Sequence, residues 1–209
     1  MAEVGAESFL PAQTDSLKEL RAAAASCRGC QLYREATQTV FGEGPSPARI
    51  MMLGEQPGDI EDREGHPFVG PAGRLLDKAV VDAGLEREQV YLTNTVKHFK
   101  HTSTRESKRR IHAKPNQTEI TACLPWLEAE LKATRPDLIV VLGSTAAQAL
   151  LGKTFRVTKS RGTLVPWRDI EVLATVHPSS ILRSTERDEA YAAFVADLAV
   201  VAEYLQRED

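Results

Sequence analysis

Arg49-Ile50-Met51-Met52-Leu53-Gly54-Glu55-Gln56-Pro57-Gly58-Asp59 is an apolar run that stops at a glycine-rich turn carrying carboxylates and an amide. A short continuous apolar run bounded by a turn is the pattern of a strand buried on both faces, so a strand is expected over Arg49 to Leu53. Three later runs repeat the pattern: Val90 to Thr93, followed by Asn94; Leu138 to Leu142, followed by Gly143-Ser144; and Val172 to Val176, followed by His177-Pro178-Ser179-Ser180. Helical patterns lie around them. Ser16-Leu17-Lys18-Glu19 reads as a capping box opening a helix that leads into Cys27-x-x-Cys30. Ala72 to Ala83 places Leu75, Leu76, Ala79, Val80 and Ala83 on one side, and Asn116-x-x-Glu119 caps a helix carrying Ile120, Leu124, Leu127 and Leu131. Ser144 to Leu151 follows the third strand, and Tyr191, Phe194, Leu198, Val201 and Leu205 recur at helical spacing near the C-terminus.

Strands alternating with helices imply an α/β fold with a parallel sheet covered on both faces. In such sheets ligands bind outside the carboxyl ends of the strands, so the residues just after each strand are the candidates for chemistry. The first turn is not G-x-G-x-x-G, because its two glycines, Gly54 and Gly58, flank Pro57, and a dinucleotide site has little support.

The 209 residues suffice for one domain with a substantial core, and no linker-like stretch divides them, so residues 1–209 are expected to form a single domain. The hydrophobic share of 42% is ordinary, and no apolar run approaches the roughly 18 residues that cross a bilayer. No export signal opens the chain; a cytoplasmic monomer is expected, associated with the nucleoid in a bacterium.

The formal net charge of −3 argues weakly against nucleic-acid binding. Its distribution argues the other way. From Lys97 to Lys114 seven Lys and Arg (97, 100, 105, 108, 109, 110 and 114) face the single acid Glu106, so this stretch carries +6 and the rest of the chain −9. Within it, Lys108-Arg109-Arg110-Ile111-His112 sets a histidine among cations that should disfavour the imidazolium and draw in phosphate. Such runs are also commonly solvated charged loops. Three cysteines without an export signal make a disulfide framework unexpected; Cys27 and Cys30 are paired by spacing, and Cys123 lies far downstream.

Taken in order, Gly54-Glu55-Gln56-Pro57-Gly58-Asp59, His66-Pro67-Phe68-Val69-Gly70-Pro71-Ala72-Gly73, Leu92-Thr93-Asn94 and His177-Pro178-Ser179-Ser180 resemble the motifs of the iron–sulfur uracil-DNA glycosylases of family four. Gln56 and the Lys108 to His112 stretch resemble the branch called UdgX, which crosslinks itself to uracil-containing DNA. The resemblance runs from Cys27 to about Arg183. It implies a three-layer α/β/α sandwich around a four-stranded parallel sheet, uracil-containing DNA (preferably single-stranded) as substrate, uracil as released product, and a [4Fe-4S] cluster.

Base excision needs a flipped base, a held uracil edge, and stabilisation of cationic character at C1′ and negative charge on the leaving uracil. The resemblance assigns stacking on the base to Phe68, which is otherwise a core residue. Asn94 carries a donor and an acceptor that match uracil O4 and N3–H and mismatch the reversed edge of cytosine, although a strand-end Asn also caps turns. The resemblance places His177 against uracil O2; the alternative is a histidine satisfying loop carbonyls.

An imidazole held at C1′ would capture that carbon and leave a stable bond, which makes His112 the expected nucleophile. Glu55 is expected to orient it and to steady the C1′ cation. Gln56, where the ordinary family has a small residue, is expected to help position the sugar or uracil. Asp59 holds either His112 or a loop network, and Arg110 grips either DNA or the loop. Ser179 to Arg183, with Ser179 and Ser180, should touch DNA, with Ile181 or Leu182 wedging where the base leaves unless both are buried.

The family pattern supplies four cysteine ligands; with a histidine at the third, the set becomes Cys27, Cys30, His98 and Cys123, with His101 as the alternative and a Cys3His zinc site as the rival. Three functions follow: a self-crosslinking uracil-DNA glycosylase, an ordinary multiple-turnover glycosylase in which Lys108 to His112 only contacts phosphate, and a non-catalytic iron–sulfur DNA sensor. A sensor has no need of the Glu55, Phe68, Asn94 and His177 set.

Overall fold

The computed structural model describes residues 5–104 and 107–208; Arg105, Glu106 and the side chain of Lys108 lie outside the described residues. The order of elements is α1 (Leu17–Ala24), β1 (Ile50–Gly54), α2 (Asp59–Glu64), α3 (Pro71–Asp82), β2 (Val90–Asn94), β3 (His101–Thr104), β4 (Ser107–His112), α4 (Gln117–Thr134), β5 (Leu138–Leu142), α5 (Ser144–Leu151), α6 (Val157–Ser160), β6 (Leu164–Trp167), β7 (Ile170–Thr175), α7 (Pro178–Leu182) and α8 (Arg187–Glu208).

The sheet has five strands in the order β2-β1-β5-β7-β6. The first four are parallel and correspond to the four apolar runs. The fifth, β6, pairs antiparallel with β7, which extends the expected four-stranded sheet by one edge. It is only half buried and contains Pro166, a residue an edge strand tolerates because one side of its backbone needs no ladder partner.

β1, β2 and β5 are buried along their whole length, as two-sided burial requires. One face of the sheet sends Ile50, Met52, Leu92 and Val140 against Leu76 and Val80 of α3 and Phe194, Leu198 and Val201 of α8. The other sends Met51, Leu53, Ile139 and Val141 against Leu127 and Leu131 of α4 and Ala146 and Ala147 of α5. The alternation of strand side chains thus makes three layers. A smaller cluster joins Leu20 and Ala24 of α1 to Ile120, Cys123 and Trp126 of α4, with Cys27 and Cys30 in it.

Of the two capping boxes expected, the first is present as a one-way cap and the second in full. Ser16 accepts from the Glu19 N–H, and Asn116 and Glu119 close a reciprocal capping box on α4. The basic stretch is not an irregular loop: β3 and β4 form an antiparallel hairpin in which His101 faces His112 and Ser103 faces Arg110. Ile181 is 1% exposed and packs into the core, so it cannot serve as a wedge; Leu182 is half-buried.

Candidate active site

The carboxyl ends of β2, β1, β5 and β7 open onto one cleft of about 760 Å³, lined by Glu55, Gln56, Phe68, Asn94, His112, Thr145, His177, Ser179 and Ser180, among others. Gly54, the last residue of β1, sits against two of the cleft's lining side chains. A Cβ there would lie 2.4 Å from Asn94 Oδ1 and 2.7 Å from Phe68 Cζ, so only glycine lets both side chains close over the strand end. Phe68 sits in the left-handed region at φ 57°, and a Cβ at Gly73 would fall 1.6 Å from its carbonyl oxygen. The buried carboxylate of Glu61 holds the same loop by accepting the Gly70 N–H at 2.8 Å. The Phe68 ring lies nearly parallel to the imidazole of His177, at 26° with centroids 6.3 Å apart. Asn94 Oδ1 is buried with no hydrogen-bond partner, an acceptor held open in a cleft that would otherwise make it costly.

His177 caps α7. Its Nδ1 accepts the Ser179 N–H at 3.1 Å, so the ring proton of the neutral imidazole sits on Nε2. Burial, then the neighbouring His112 and Arg183, push its pKa down to about 4, which keeps it neutral at physiological pH. Ser180 is occupied in the same turn, donating its hydroxyl to the His177 carbonyl at 2.7 Å.

At the lip of the cleft His112 Nε2 stands 3.3 Å from Glu55 Oε1. The other carboxylate oxygen of Glu55 accepts a hydrogen bond from the Thr145 hydroxyl. Thr145, buried in the first turn of α5, was not among the expected site residues. The signal existed, since it is only one residue beyond the Gly143-Ser144 strand end.

Gln56 corrects an expectation. It lines the cleft, but its amide is spent on the protein: Nε2 donates to the carbonyls of Lys100 and Ala113, at 3.2 and 3.1 Å, and Oε1 accepts the Lys100 N–H at 3.0 Å. Lys100 precedes β3 and Ala113 follows β4, so one side chain clamps both ends of the hairpin that carries His112. Arg110 and Asp59 resolve in the same direction. Arg110 donates to Asp59 Oδ1 and to the fully buried Asp62, with further bonds to the Asp59 carbonyl and Thr37. It therefore locks the hairpin to α2, the second of the two roles expected for it, and Asp59 belongs to this loop network.

The local excess of positive charge shrinks accordingly. Lys97 is fully buried against Glu130, Lys100 pairs with Glu119 at 2.9 Å, and Arg110 faces two carboxylates. Of the flanking cations Arg109 is exposed beside the cleft and Arg183 lines it.

Of the proposed ligand residues, Cys27, Cys30 and Cys123 share the small cluster where α1 packs against α4. Cys27, Cys30, Cys123 and His98 are all buried, and the cysteines form no disulfide. Cys27 Sγ accepts the Trp126 indole N–H and Cys123 Sγ the Lys97 N–H, both at 3.3 Å, bonds that would support thiolate charge. Burial pushes the Cys123 thiol up to about 12, against the lowering effect of the nearby Lys97 ammonium. His98 places Nε2 at 2.9 Å from the Thr39 hydroxyl and leaves Nδ1 buried without a partner, as a ligand nitrogen would be. The same holds for His101, whose Nδ1 is buried and unpartnered while Nε2 donates to the Glu35 carbonyl at 3.1 Å. Among the described residues, no three His, Cys, Asp or Glu side chains converge as ligands of one ion.

Residues 41–199 match the model of the uracil DNA glycosylase superfamily. The chain is 39% identical over 177 residues to a type-4 uracil-DNA glycosylase of Sulfurisphaera tokodaii, covering 80% of this chain and 76% of that one. It is 36% identical over 184 residues to a type-4 uracil-DNA glycosylase of Thermotoga maritima, covering 87% and 91%, and 34% identical over 185 residues to one of Archaeoglobus fulgidus, covering 85% and 88%. With its strand ends gathered around one cleft and three quarters of its length matched, the chain belongs to the uracil DNA glycosylase superfamily.

Proposed function

We propose that the protein is a uracil-DNA glycosylase of the UdgX type, which excises uracil and remains joined to the abasic sugar through His112. The observation that carries the reading is the placement of His112 Nε2 3.3 Å from Glu55 Oε1 at the mouth of a cleft holding Phe68, Asn94 and His177. Phe68 stacks on the flipped base. The amide of Asn94 accepts N3–H through its vacant Oδ1 and donates to O4, a pattern cytosine reverses. His177, neutral and protonated on Nε2, donates to O2 as the C1′–N1 bond breaks and its electron pair leaves on the uracil anion, which then takes a proton from water.

Glu55 balances the positive charge that develops at C1′. A ring nitrogen of His112 gives its lone pair to C1′, and Glu55 then balances the alkylated imidazole or receives its remaining N–H. Gln56 and Arg110 act through His112 by fixing the hairpin. Single-stranded DNA is the proposed substrate, and Ile181, packed in the core, does not serve to prise a base from a duplex. The test is a denaturing gel of the protein with labelled single strands containing one uracil or, as control, thymine. A heat- and detergent-stable slow band with uracil alone is expected. Abasic DNA without that band would mean turnover, with Lys108 to His112 reduced to a DNA contact.

Cys27, Cys30, His98 and Cys123 are proposed to hold a [4Fe-4S] cluster. Cluster ligands bind different irons and need not meet at a point, whereas zinc ligands must converge tetrahedrally within about 2.0–2.3 Å of one ion. When bound, the cluster would supply a covalent tie between the N-terminal helix and α4, away from the glycosidic bond. Cys123→Ala should bleach the visible absorbance and lower the melting temperature, and His98→Ala should shift or remove the same band. Unchanged colour in either excludes that residue, and zinc in place of iron by metal analysis refutes the cluster.

A further inference from the structure

Behind Asn94 lies an ion pair that the reaction does not use. Lys97 and Glu130 both have side chains with 0% exposure and meet at 2.6 Å. Removing two charges from water costs more than their attraction usually returns, and well-packed apolar replacements are often as stable. The pair therefore calls for an explanation other than stability.

Its hydrogen bonds supply one. The ammonium spends its three donors on Glu130 Oε2, on Thr93 Oγ1 and on the main-chain carbonyl of Asn94, the last two at 2.7 Å. Glu130 Oε1 is held in turn by the Gly42 N–H, the Tyr91 hydroxyl and the Thr93 hydroxyl, at 3.1, 3.0 and 2.9 Å. On the other side of the turn, the Thr95 and Val96 N–H groups bond to the carbonyls of Gly54 and Glu55, at 2.9 and 3.0 Å. The Lys97 N–H reaches Cys123 Sγ and its carbonyl accepts from Val40. The backbone from Asn94 to Lys97 is thus fixed from both sides, and it is the backbone that carries the buried, unpartnered Oδ1.

We propose that Lys97, held by Glu130, is a positioning residue for uracil recognition: it fixes the main chain of Asn94 so that the side-chain amide stays aimed into the cleft. The proposal rests on the reading of Asn94 given above. A vacant buried acceptor is kept ready only where its own backbone cannot relax to pair it, and three donors on one ammonium prevent that relaxation.

The test is the double variant Lys97→Met/Glu130→Gln. Met fills the lysine stem, and Gln keeps an oxygen for Gly42 and Tyr91 and gains an N–H for Thr93, so the fold is preserved while the bond to the Asn94 carbonyl is lost. Assayed on uracil-containing single strands at a temperature where both proteins are folded, the variant should show a half-saturating DNA concentration raised about tenfold or more, with a smaller change in maximal rate, and weaker discrimination against cytosine. A folded double variant within about twofold of the wild type in both parameters would overturn the proposal.

Wild-type protein that leaves uracil in DNA untouched would instead overturn the reading of Asn94 itself. Should the double variant not fold, hydrogen exchange of the wild type decides: Thr95 and Val96 amides should exchange as slowly as those of β5, and loop-like exchange would overturn the lock.

Discussion

His112→Ala should remove the covalent protein–DNA product completely while leaving uracil excision detectable. In the mechanism proposed above the imidazole enters after the glycosidic bond has weakened, whereas the groups proposed to drive departure of the base, Asn94, Phe68, His177 and Glu55, line the same cleft and are untouched by the substitution. His112 is half-exposed, with 51% of its side chain accessible, so its removal opens a path for water to C1′ and little cavity cost is expected. His112→Ser should go further and give multiple turnover, because a small hydroxyl leaves space for a water that Glu55 can orient as general base.

Glu55→Gln separates the two roles. It keeps the hydrogen-bonding shape toward Thr145 and His112 and removes the charge, and excision itself should fall by about a hundredfold or more, since electrostatic stabilisation of the transition state is usually the largest single contribution. The measurement is a time course resolving crosslinked, abasic and intact strands on one denaturing gel. Crosslinking that survives in His112→Ala removes the nucleophile assignment.

Much of this arrangement is legible from residue order, and the part that is not has a definite cause. The four parallel strands are continuous apolar runs because both their faces are buried, and that pattern is local. The candidate site residues follow those runs at once, so Glu55, Asn94 and His177, which line the cleft, can be found without coordinates. Strand β6 is short, half-exposed and interrupted by Pro166, and so lacks both the alternation and the continuity that mark a strand.

Apart from Ile111, which is 48% exposed, the strands of the hairpin carrying His112 are polar or charged in sequence, with no apolar stripe to mark them. Its shape is imposed by Gln56 and Arg110 from other parts of the chain. Charge misleads most. Lys97, Lys100 and Arg110 look identical to DNA-binding cations in a sequence, yet each finds a carboxylate at a distance, Lys97 with Glu130 33 positions on and Arg110 with Asp62 48 positions back. Whether a lysine meets phosphate or a buried glutamate is a property of the packing, and residue order does not carry it.

Gly54→Ala should cost more activity per atom added than any other substitution in the cleft. The strand backbone at Gly54 is held in register with Asn94 on β2, and β1 is also paired along its other edge with β5, so the strand cannot retreat. The added methyl, at 2.4 Å from Asn94 Oδ1 and 2.7 Å from Phe68 Cζ, must displace one or both side chains by the better part of an ångström. Neither can yield cheaply. Phe68 stands on a left-handed backbone pinned beneath Gly73, and Asn94 is tied through its carbonyl to Lys97.

Over-packing of this kind costs about 1–3 kcal/mol of stability, which a protein of this size should survive folded. Misplacing a base-reading group by about 1 Å costs on the order of a hundredfold in rate. Gly54→Ala should therefore melt within several degrees of the wild type and excise uracil at least about a hundredfold more slowly, and crosslinking should fall in proportion because it depends on excision. Single-turnover excision kinetics beside a melting curve make the comparison. A folded variant within about threefold of the wild-type rate would mean that the base does not lie between Asn94 and Phe68 over this strand end.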